Sequence, residues 1–315
     1  MPKLLKAPTR TVRSRVFDSA RWDGYRPRND DIIIATYSKC GTTWMQRIVG
    51  MLLFQSAAPM RIWDLSPWPD MRLFGPIEAE LAKAEAQSHR RFFKTHLPLD
   101  ALPIYEGVKV IHVARDGRDA AMSLHNHLAN FTPKTLDDLN AISRADPKFG
   151  NDYPPTPQDP AQFFSDWIDD GGAQGDIGAG FYCVENSYWS QRASPDVLLV
   201  HYNDMKADRA GEMRRVAAFL GIETPAPLWK DLVAAAGFDA MKEQGAELIP
   251  AAAQLWVEGA SRFMNKGTNG RWQSVVSADD LRRYDAQIER HFAPELARWL
   301  EHGRLVAGDP QPPPR

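Results

Sequence analysis

The sequence predicts an α/β fold: a single domain with a central parallel sheet flanked by helices. Short runs rich in β-branched and aromatic residues alternate with longer helical patterns, which is typical of parallel βαβ units. A chain of 315 residues with 43% hydrophobic content can bury a full core without disulfides or a structural metal. A glycine-containing loop rich in hydroxyl groups also follows the first apolar strand and leads directly into a helix. Ligands bind such sheets beyond the carboxyl ends of the strands, so the residues after each strand are the candidate site residues.

The elements follow from local patterns in chain order. Strands are expected at residues 32–36, 91–95, 108–114 and 197–201. Helices are expected where apolar residues recur at helical spacing, at residues 42–55, 117–130, 160–169, 178–193, 210–220 and 278–299. The proline-rich stretches 56–87 and 131–160 fit neither pattern, and loops of that length in compact domains are commonly lids or binding surfaces. We therefore expect these two stretches to form a ligand-binding pocket.

Composition excludes several classes of protein. The net charge of −2 provides no general field for nucleic acid, and no apolar run approaches the roughly 20 residues of a membrane span. The cysteines Cys40 and Cys183 lie far apart without metal-ligand spacing, which favours a reducing, cytoplasmic setting and no metal site. The predicted organisation is a solvated basic arm over residues 1–21, one domain over 22–303 and a flexible proline-rich tail over 304–315.

Residues 37–44, Tyr-Ser-Lys-Cys-Gly-Thr-Thr-Trp, have the composition of an anion cradle. An anion at this point would meet the ammonium of Lys39, the hydroxyls of Thr42 and Thr43 and the free N–H groups of a helix start. In the Walker loop the lysine follows the second glycine, whereas Lys39 precedes the only glycine of this loop, Gly41. A phosphatase loop is also excluded, because a glutamine stands where its arginine is required. The loop therefore predicts a phosphorylated or sulfated nucleotide.

Further polar groups follow the other predicted strands. Lys94 and His96 lie two residues apart, share one face of the second strand and emerge at its carboxyl end. A cation and a base therefore face the same pocket. After the third strand, the guanidinium of Arg115 can bind a phosphate through paired N–H donors, and the hydroxyl of Ser123 follows eight residues later. Tyr202 directly follows the fourth strand.

With these motifs in this order, residues 22–300 resemble the cytosolic sulfotransferases. The loop at 37–44 is similar to the family's 5′-phosphosulfate loop, and Lys-Thr-His-Leu-Pro at 94–98 looks like the segment that carries its catalytic base. The segment that begins at Arg115 resembles the family's 3′-phosphate motif, and Tyr-Asn-Asp-Met-Lys at 202–206 resembles the motif whose tyrosine contacts adenine. The first strand, loop and helix would then form a P-loop-like phosphosulfate-binding unit.

The resemblance implies an enzyme that transfers the sulfuryl group of 3′-phosphoadenosine-5′-phosphosulfate (PAPS) to a hydroxyl, or an amine, of a small aromatic or lipophilic acceptor, with 3′-phosphoadenosine-5′-phosphate (PAP) as product. It implies His96 as the general base, and Lys39 and Lys94 as cations at the leaving phosphate oxygen, so that no metal is required. It places the nucleotide against Lys39, Cys40, Gly41, Thr42, Thr43, Trp44, Arg115, Ser123, Tyr202, Phe238, Phe263, Met264, Asn265, Lys266 and Gly267. The composition of the two proline-rich stretches predicts apolar or aromatic acceptor-pocket walls from Trp63, Trp68, Met71, Phe74, Phe131 and Tyr153.

The loop at 263–272 departs from the family pattern. Asn265 stands where the family has arginine, and Arg271 stands where it has aspartate. One direct cation for the 3′-phosphate is therefore lost, and weaker retention of that phosphate would follow. The family's dimerisation segment is not matched at 273–282, so a monomer and a homodimer of another kind both stay open.

Two other functions share the strand, loop and helix geometry. A kinase with a degenerate loop would need ATP and magnesium ligands. A non-catalytic module would bind the nucleotide without needing a base such as His96. Cys40 adds an alternative mechanism, because a thiol beside a helix start can act as a nucleophile.

Overall fold

A parallel sheet forms the centre of the structure and confirms the predicted α/β class. The computed structural model describes residues 2–173 and 178–310. The strands within these ranges are β1 (Leu4–Lys6), β2 (Ile32–Ala35), β3 (Phe92–Thr95), β4 (Ile104–Tyr105), β5 (Lys109–Ala114) and β6 (Val197–His201). The four predicted strands are β2, β3, β5 and β6, whereas nothing in the sequence predicted the short antiparallel pair of β1 and β4.

The strand order of the four-stranded sheet is β3-β2-β5-β6, and every neighbouring pair is parallel. Ile32 of β2 lies opposite Phe92 of β3 on one side and Lys109 of β5 on the other. The chain therefore leaves β2 toward one edge to form β3 and then crosses to the opposite side to form β5. The carboxyl ends of β2 and β5 flank the point where the strand order reverses, which is the usual ligand-binding crevice of such sheets.

Helices cover both faces of the sheet. In the described ranges they are α1 (Thr42–Phe54), α2 (Ile62–Leu65), α3 (Ile77–Glu85), α4 (Gly117–Leu128), α5 (Pro133–Ala145), α6 (Pro160–Asp169), α7 (Phe181–Trp189), α8 (Tyr202–Ala207), α9 (Arg209–Leu220), α10 (Ala226–Ala235), α11 (Phe238–Glu243), α12 (Gly245–Leu248), α13 (Ala252–Leu255), α14 (Gly259–Met264), α15 (Ala278–His291), α16 (Pro294–His302) and α17 (Arg304–Ala307). Short 3₁₀ turns occur at Ser19–Gly24, Leu99–Ala101 and Arg271–Ser274. None of the helices described here combines the length and the apolar composition needed to cross a membrane.

The helices depart from the sequence predictions where prolines and caps decide their limits. The single helix expected at 278–299 is two, α15 and α16, because Pro294 lacks an N–H group and begins a new helix. The proline-rich stretch 131–160 contains the unpredicted helix α5, in which Pro133 occupies the first turn and the hydroxyl of Thr132 caps the N-terminus. α7 is shorter than predicted, and nothing in the sequence indicated α8 or α10 to α14.

Alternating side chains along β2 divide the core into two layers. Ile32 and Ile34 point to one face and pack with α1, α9 and α10, whereas Ile33 and Ala35 point to the other face, which packs with α4, α6 and α7. All four side chains are fully buried. Because helices cover both faces, every residue of the strand is apolar, and each buried isoleucine contributes roughly 1.5–3 kcal/mol.

Only the first part of the predicted basic arm, residues 3–11, is exposed to solvent, and from Val12 onward the segment packs into the domain. β1 pairs with β4, and Val16 and Phe17 are buried in the main core. The carboxylate of Asp146 accepts hydrogen bonds from Arg13 at 3.0 Å and from Arg72 at 2.6 Å. Composition could not show the contact with Asp146, because this carboxylate lies more than a hundred residues away from Arg13 in the chain.

The beginning of the predicted flexible tail also packs against the domain. Arg304 begins α17, its backbone N–H donates to Asp204 at 2.7 Å, and its Nε donates to Glu212 at 2.6 Å. Two carboxylates on α8 and α9 therefore hold this part of the chain in place. Residues 311–315, the rest of the predicted tail, lie outside the described residues.

A buried ion pair joins the amino ends of β2 and β3. Asp31 and Arg91 immediately precede these strands, and both side chains are fully buried. The guanidinium donates from Nε to Oδ1 at 2.8 Å and from Nη2 to Oδ2 at 2.6 Å, and the hydroxyl of Tyr25 donates to Oδ2 at 2.7 Å. This bidentate geometry compensates two charges whose burial would otherwise be unfavourable. The pair holds in place the two strands whose opposite ends carry the candidate site residues.

Asp31→Asn should lower the free energy of unfolding by about 3–5 kcal/mol, because the charge of Arg91 would stay buried without its main carboxylate partner. The matched change Asp138→Asn removes a carboxylate from the exposed pair of Lys134 and Asp138 and should cost less than about 1 kcal/mol. Urea denaturation followed by circular dichroism measures both changes. Equally small losses in the two variants would contradict the role given to the buried pair.

Candidate active site

A cavity of about 290 Å³ opens at the carboxyl ends of the central strands. One part of its lining comes from the loop before α1 and from basic side chains, and another part from aromatic and aliphatic side chains. Lys39, Lys94, His96 and His127 also line it. Burial lowers the pKa of both histidines, and the nearby lysine charges lower it further. The cavity therefore suits ligands with an anionic part and an apolar part.

Two residues with left-handed backbone shape the loop between β2 and α1. Lys39 has a φ of 70° and Gly41 a φ of 116°, in a region that favours glycine. A Cβ atom at Gly41 would also lie only 3.1 Å from the ring of Tyr202. α1 then begins at Thr42, and no described side chain caps it. The first N–H groups of α1 and its positive dipole end are therefore available to an anion.

A chain of hydrogen bonds holds His96 after β3. Its Nδ1 lies 2.9 Å from the carbonyl oxygen of Thr36, which can only accept, so Nδ1 donates and Nε2 keeps a free lone pair. The hydroxyl of Thr36 lies 3.0 Å from the same nitrogen and 2.7 Å from the hydroxyl of Thr42, so the chain reaches the anion loop. Burial lowers the pKa of His96 well below its ordinary value, and the charge of Lys94 lowers it further. The imidazole is therefore neutral and able to accept a proton.

Aromatic rings and a buried carboxylate orient His96. The rings of Trp68 and Phe17 meet the imidazole edge-on, with centroids 5.0 and 5.6 Å away. Asp70 accepts from the indole N–H groups of Trp22 and Trp68 at 3.0 Å each, and from the backbone N–H of His96 at 3.4 Å. Burial raises the pKa of Asp70. This carboxylate therefore positions both the imidazole and the indole that packs against it.

Lys39 and Lys94 bring two ammonium groups to the cavity, and no described carboxylate forms an ion pair with either. The ammonium of Lys94 lies 3.4 Å from the ring centroid of Trp68, and that of Lys39 lies 4.4 Å from the ring centroid of Phe263. Burial lowers the pKa of Lys39 to about 7, and the charge of Arg115 adds to this effect. Burial, followed by the charge of Lys39, lowers the pKa of Lys94 to about 7. A bound anion would stabilise both charges.

His127 on α4 belongs to the same cluster, although the sequence analysis missed it. Its Nδ1 lies 3.2 Å from the ammonium nitrogen of Lys39. Burial lowers the pKa of His127 well below its ordinary value, and the charge of Lys39 lowers it further. A sequence signal exists, because His127 follows Ser123 by four residues and therefore shares its helix face.

Basic side chains crowd another part of the cavity. Arg115 is almost fully buried, its guanidinium lies 4.1 Å from the ring centroid of Tyr202, and its Nη2 donates to the side chain of Asn269 at 2.7 Å. Its Nε has no partner among the described residues. Lys206 and Arg271 also line the cavity, and burial, followed by the charge of Arg115, lowers the pKa of both. This concentration of positive charge favours a strongly anionic ligand.

The loop at 263–272 is tied to the helix that follows Arg115. Asp119 accepts from the backbone N–H of Gly270 at 2.7 Å. Gly267 has a φ of 62°, and a Cβ atom there would lie only 2.5 Å from the ring of Phe238. The aromatic ring therefore packs directly on the loop, which only glycine permits at this position.

Most residues predicted to bind the nucleotide line this cavity. They are Lys39, Gly41, Thr42, Thr43, Trp44, Arg115, Ser123, Tyr202, Phe238, Phe263, Met264, Asn265 and Gly267. Two of the predicted residues do not line it, since Cys40 is fully buried and Lys266 is exposed outside it. Burial also raises the pKa of the Cys40 thiol well above its ordinary value. Burial and the raised pKa both argue against Cys40 as a nucleophile, because the thiolate is the attacking form.

The predicted acceptor walls also lie on the cavity. All six line it, namely Trp63, Trp68, Met71, Phe74, Phe131 and Tyr153. The structure adds side chains from the N-terminal segment and from the region of α11 to α13, namely Val16, Phe17, Met241, Leu255 and Trp256. Apart from Phe238, which begins α11, these segments carry no residue that the resemblance identified, so no local signal pointed to these five side chains. By contrast, Lys206 lies within a recognised motif and could have been found.

The chain is similar in sequence to known sulfotransferases. The sulfotransferase domain model matches residues 29–297. A glycolipid sulfotransferase of Mycobacterium bovis is 35% identical over 312 residues, covering 93% of this chain and 94% of the relative. Sulfotransferase 1A1 of Rattus norvegicus is 28% identical over 277 residues, covering 84% of each.

Solved structures share the fold. A mouse sulfotransferase complexed with PAP has a TM-score of 0.65 and 21% identity, covering 89% of this chain and 90% of that one. Retinol dehydratase complexed with androsterone and PAP has a TM-score of 0.67 and 21% identity, covering 88% of this chain and 84% of that one.

The matched region contains every motif on which the sequence resemblance rested, and it excludes the kinase alternative. The domain model spans most of the chain, and the mycobacterial relative is similar over nearly its whole length. This chain therefore belongs to the sulfotransferase family.

Proposed function

We propose that this enzyme takes PAPS as donor and transfers the sulfuryl group to a hydroxyl of a lipophilic acceptor, with His96 as the general base. The observation that carries the proposal is that the neutral imidazole of His96 shares one cavity with the ammonium groups of Lys39 and Lys94. An anionic donor and an acceptor hydroxyl can meet there. When bound, PAPS supplies the sulfuryl group and leaves as PAP.

The residues present fit both anionic ends of this donor. The free N–H groups at the start of α1, with the hydroxyls of Thr42 and Thr43, suit a 5′-phosphate. The guanidinium of Arg115, which lines the cavity together with Lys206 and Arg271, suits a second phosphate. The PAP complexes of the mouse sulfotransferase and of retinol dehydratase support the same nucleotide.

Arg271 replaces the cation that is missing at Asn265. Its side chain lines the cavity, and the charge of Arg115 contributes to lowering its pKa. Asn265 also lines the cavity. We propose that the number of cations near the second phosphate is thereby kept and that Arg271 offsets the weaker retention expected from Asn265.

Different side chains carry out proton transfer and charge stabilisation. Nε2 of His96 takes the proton of the acceptor hydroxyl, because Nδ1 is already bonded to the carbonyl of Thr36. Lys39 and Lys94 stabilise negative charge at the departing phosphate oxygen. Sulfuryl transfer, like phosphoryl transfer, is expected to be loose, so positioning and charge supply most of the catalysis.

The acceptor is proposed to carry its hydroxyl on an apolar body. Aromatic and aliphatic side chains form much of the cavity wall, and the mycobacterial relatives are named glycolipid sulfotransferases. A reducing, cytoplasmic setting is also proposed, supported by the free cysteines Cys40 and Cys183.

His96→Ala should lower kcat by about 10²–10⁴-fold and leave the Kd of PAP nearly unchanged, because the variant lacks only the proton acceptor. Sulfate transfer from PAPS to a panel of hydroxylated lipophiles measures the first effect, and calorimetric titration with PAP measures the second. The control His302→Ala alters an exposed histidine on α16 and should change neither quantity. Full activity in His96→Ala would refute the base, and a wild-type protein that binds PAP but sulfates no acceptor would support the non-catalytic alternative.

The affinity for PAP should fall as pH rises from about 7 to about 9. Lys39 and Lys94 have pKa values of about 7 in the free enzyme, and a bound anion raises both values. Binding therefore takes up protons above about pH 7, and affinity is lost as pH rises through the free-enzyme values, by about tenfold or more. Calorimetry in buffers of different ionisation enthalpy counts the protons. In Lys94→Met the slope should be shallower, and an affinity independent of pH would rule out the lowered lysine pKa values.

Arg271→Ala should weaken PAP binding by about tenfold or more and leave AMP binding nearly unchanged, because AMP lacks the 3′-phosphate. The control Arg282→Ala removes an exposed arginine on α15 that pairs with Asp279. Calorimetric titration of each variant with both nucleotides gives the four Kd values. Equal losses for PAP and AMP would show that Arg271 does not act at the 3′-phosphate.

A further inference from the structure

The ring of His127 is held firmly in the wall of the cavity. Its centroid lies 4.7 Å from that of Trp256, 5.4 Å from that of Phe131 and 5.8 Å from that of Phe263. The backbone carbonyl of His127 also accepts from the indole N–H of Trp256 at 2.9 Å. Packing on several sides restricts rotation of the imidazole, so its two nitrogens have distinct surroundings.

The surroundings of the two nitrogens determine where the ring carries its hydrogen. Nδ1 of His127 lies 3.2 Å from Nζ of Lys39. With the anionic donor bound, Lys39 is charged and its ammonium can only donate, so Nδ1 accepts and the hydrogen sits on Nε2. Nε2 has no hydrogen-bond partner among the described residues, yet it is not one of the described polar atoms buried without a partner. It is therefore accessible from the cavity that the residue lines.

The cavity thus presents two neutral imidazoles of opposite hydrogen-bonding character. Nε2 of His96 has a lone pair, since its Nδ1 donates to the carbonyl of Thr36, whereas Nε2 of His127 has a hydrogen. The hydroxyl that receives the sulfuryl group satisfies only the first of these nitrogens. An apolar acceptor that expels water would leave the N–H of His127 without a partner, unless the acceptor itself provides an oxygen.

We propose that His127 donates a hydrogen bond to a second oxygen of the acceptor, next to the reacting hydroxyl. The enzyme should therefore prefer vicinal diols and sugar hydroxyls on an apolar body over isolated hydroxyls. This inference rests on the proposed function and specifies the acceptor class of the same site. His127 is placed beside the transfer point by its contact with Lys39, the proposed cation at the departing oxygen.

The test compares kcat/KM for two matched acceptors, octanol and vicinal octanediol, with PAPS as donor. The wild-type enzyme should favour the diol by about tenfold, the effect of one hydrogen bond that would otherwise be lost. His127→Asn keeps an oxygen near the position of Nδ1 for Lys39 but lacks the N–H at Nε2, so it should lose the preference. His127→Gln restores an N–H near the position of Nε2 and should keep most of it.

Several controls separate this role from a structural one. His125→Asn alters a neighbouring histidine of α4 that bonds to the carbonyl of Pro157, and it should keep the preference for the diol. The melting temperature and the Kd of PAP show whether each variant folds and binds the nucleotide. Comparable rates for both alcohols in the wild type, or equal losses for both in His127→Asn, would overturn the inference and leave the proposed function standing. Failure of the wild type to sulfate either alcohol would overturn both.

Discussion

The cavity depends on the burial of positive charge that no described carboxylate neutralises. Lys39 and Lys94 face aromatic rings instead of acids, and burial lowers the pKa of both to about 7. Burial lowers the pKa of His96 and His127, and the charges of the lysines lower it further, so both imidazoles are neutral. The same electrostatic constraint therefore provides a cationic site for an anionic donor and, beside it, an uncharged base for the acceptor.

The fold must hold these groups rigidly, because solvent would otherwise reach the charges and restore their ordinary pKa values. The buried pair of Asp31 and Arg91 joins β2 and β3 at their amino ends, and the cations emerge from the same strands at the opposite ends. At the carboxyl ends, Asp70 holds the backbone of His96 and the indole of Trp68. Stability and chemistry are therefore linked through the same two strands.

Donor and acceptor meet between groups that differ in hydrogen-bonding character. The hydrogen bond from His96 to the carbonyl of Thr36 leaves a lone pair facing the cavity, and the contact of His127 with Lys39 leaves a hydrogen. Neither property belongs to histidine as a residue type. Each follows from the partner of the other ring nitrogen, which sets the tautomer. The hydrogen-bonding character of each imidazole is therefore set by a neighbouring group of the protein.

The sequence by itself determined the parallel sheet, the loop that follows β2 and most of the residues around the cavity. Short stretches of sequence determine these features, because strand patterns, turn residues and motif spacing each involve only a few neighbouring residues. Only the tertiary structure brought Phe17, Asp70 and His127 to His96 or Lys39 and packed the N-terminal segment into the cavity wall. It also decided which polar groups are buried and therefore which pKa values shift. Burial and contacts between residues distant in the chain arise from packing, and no local pattern encodes them.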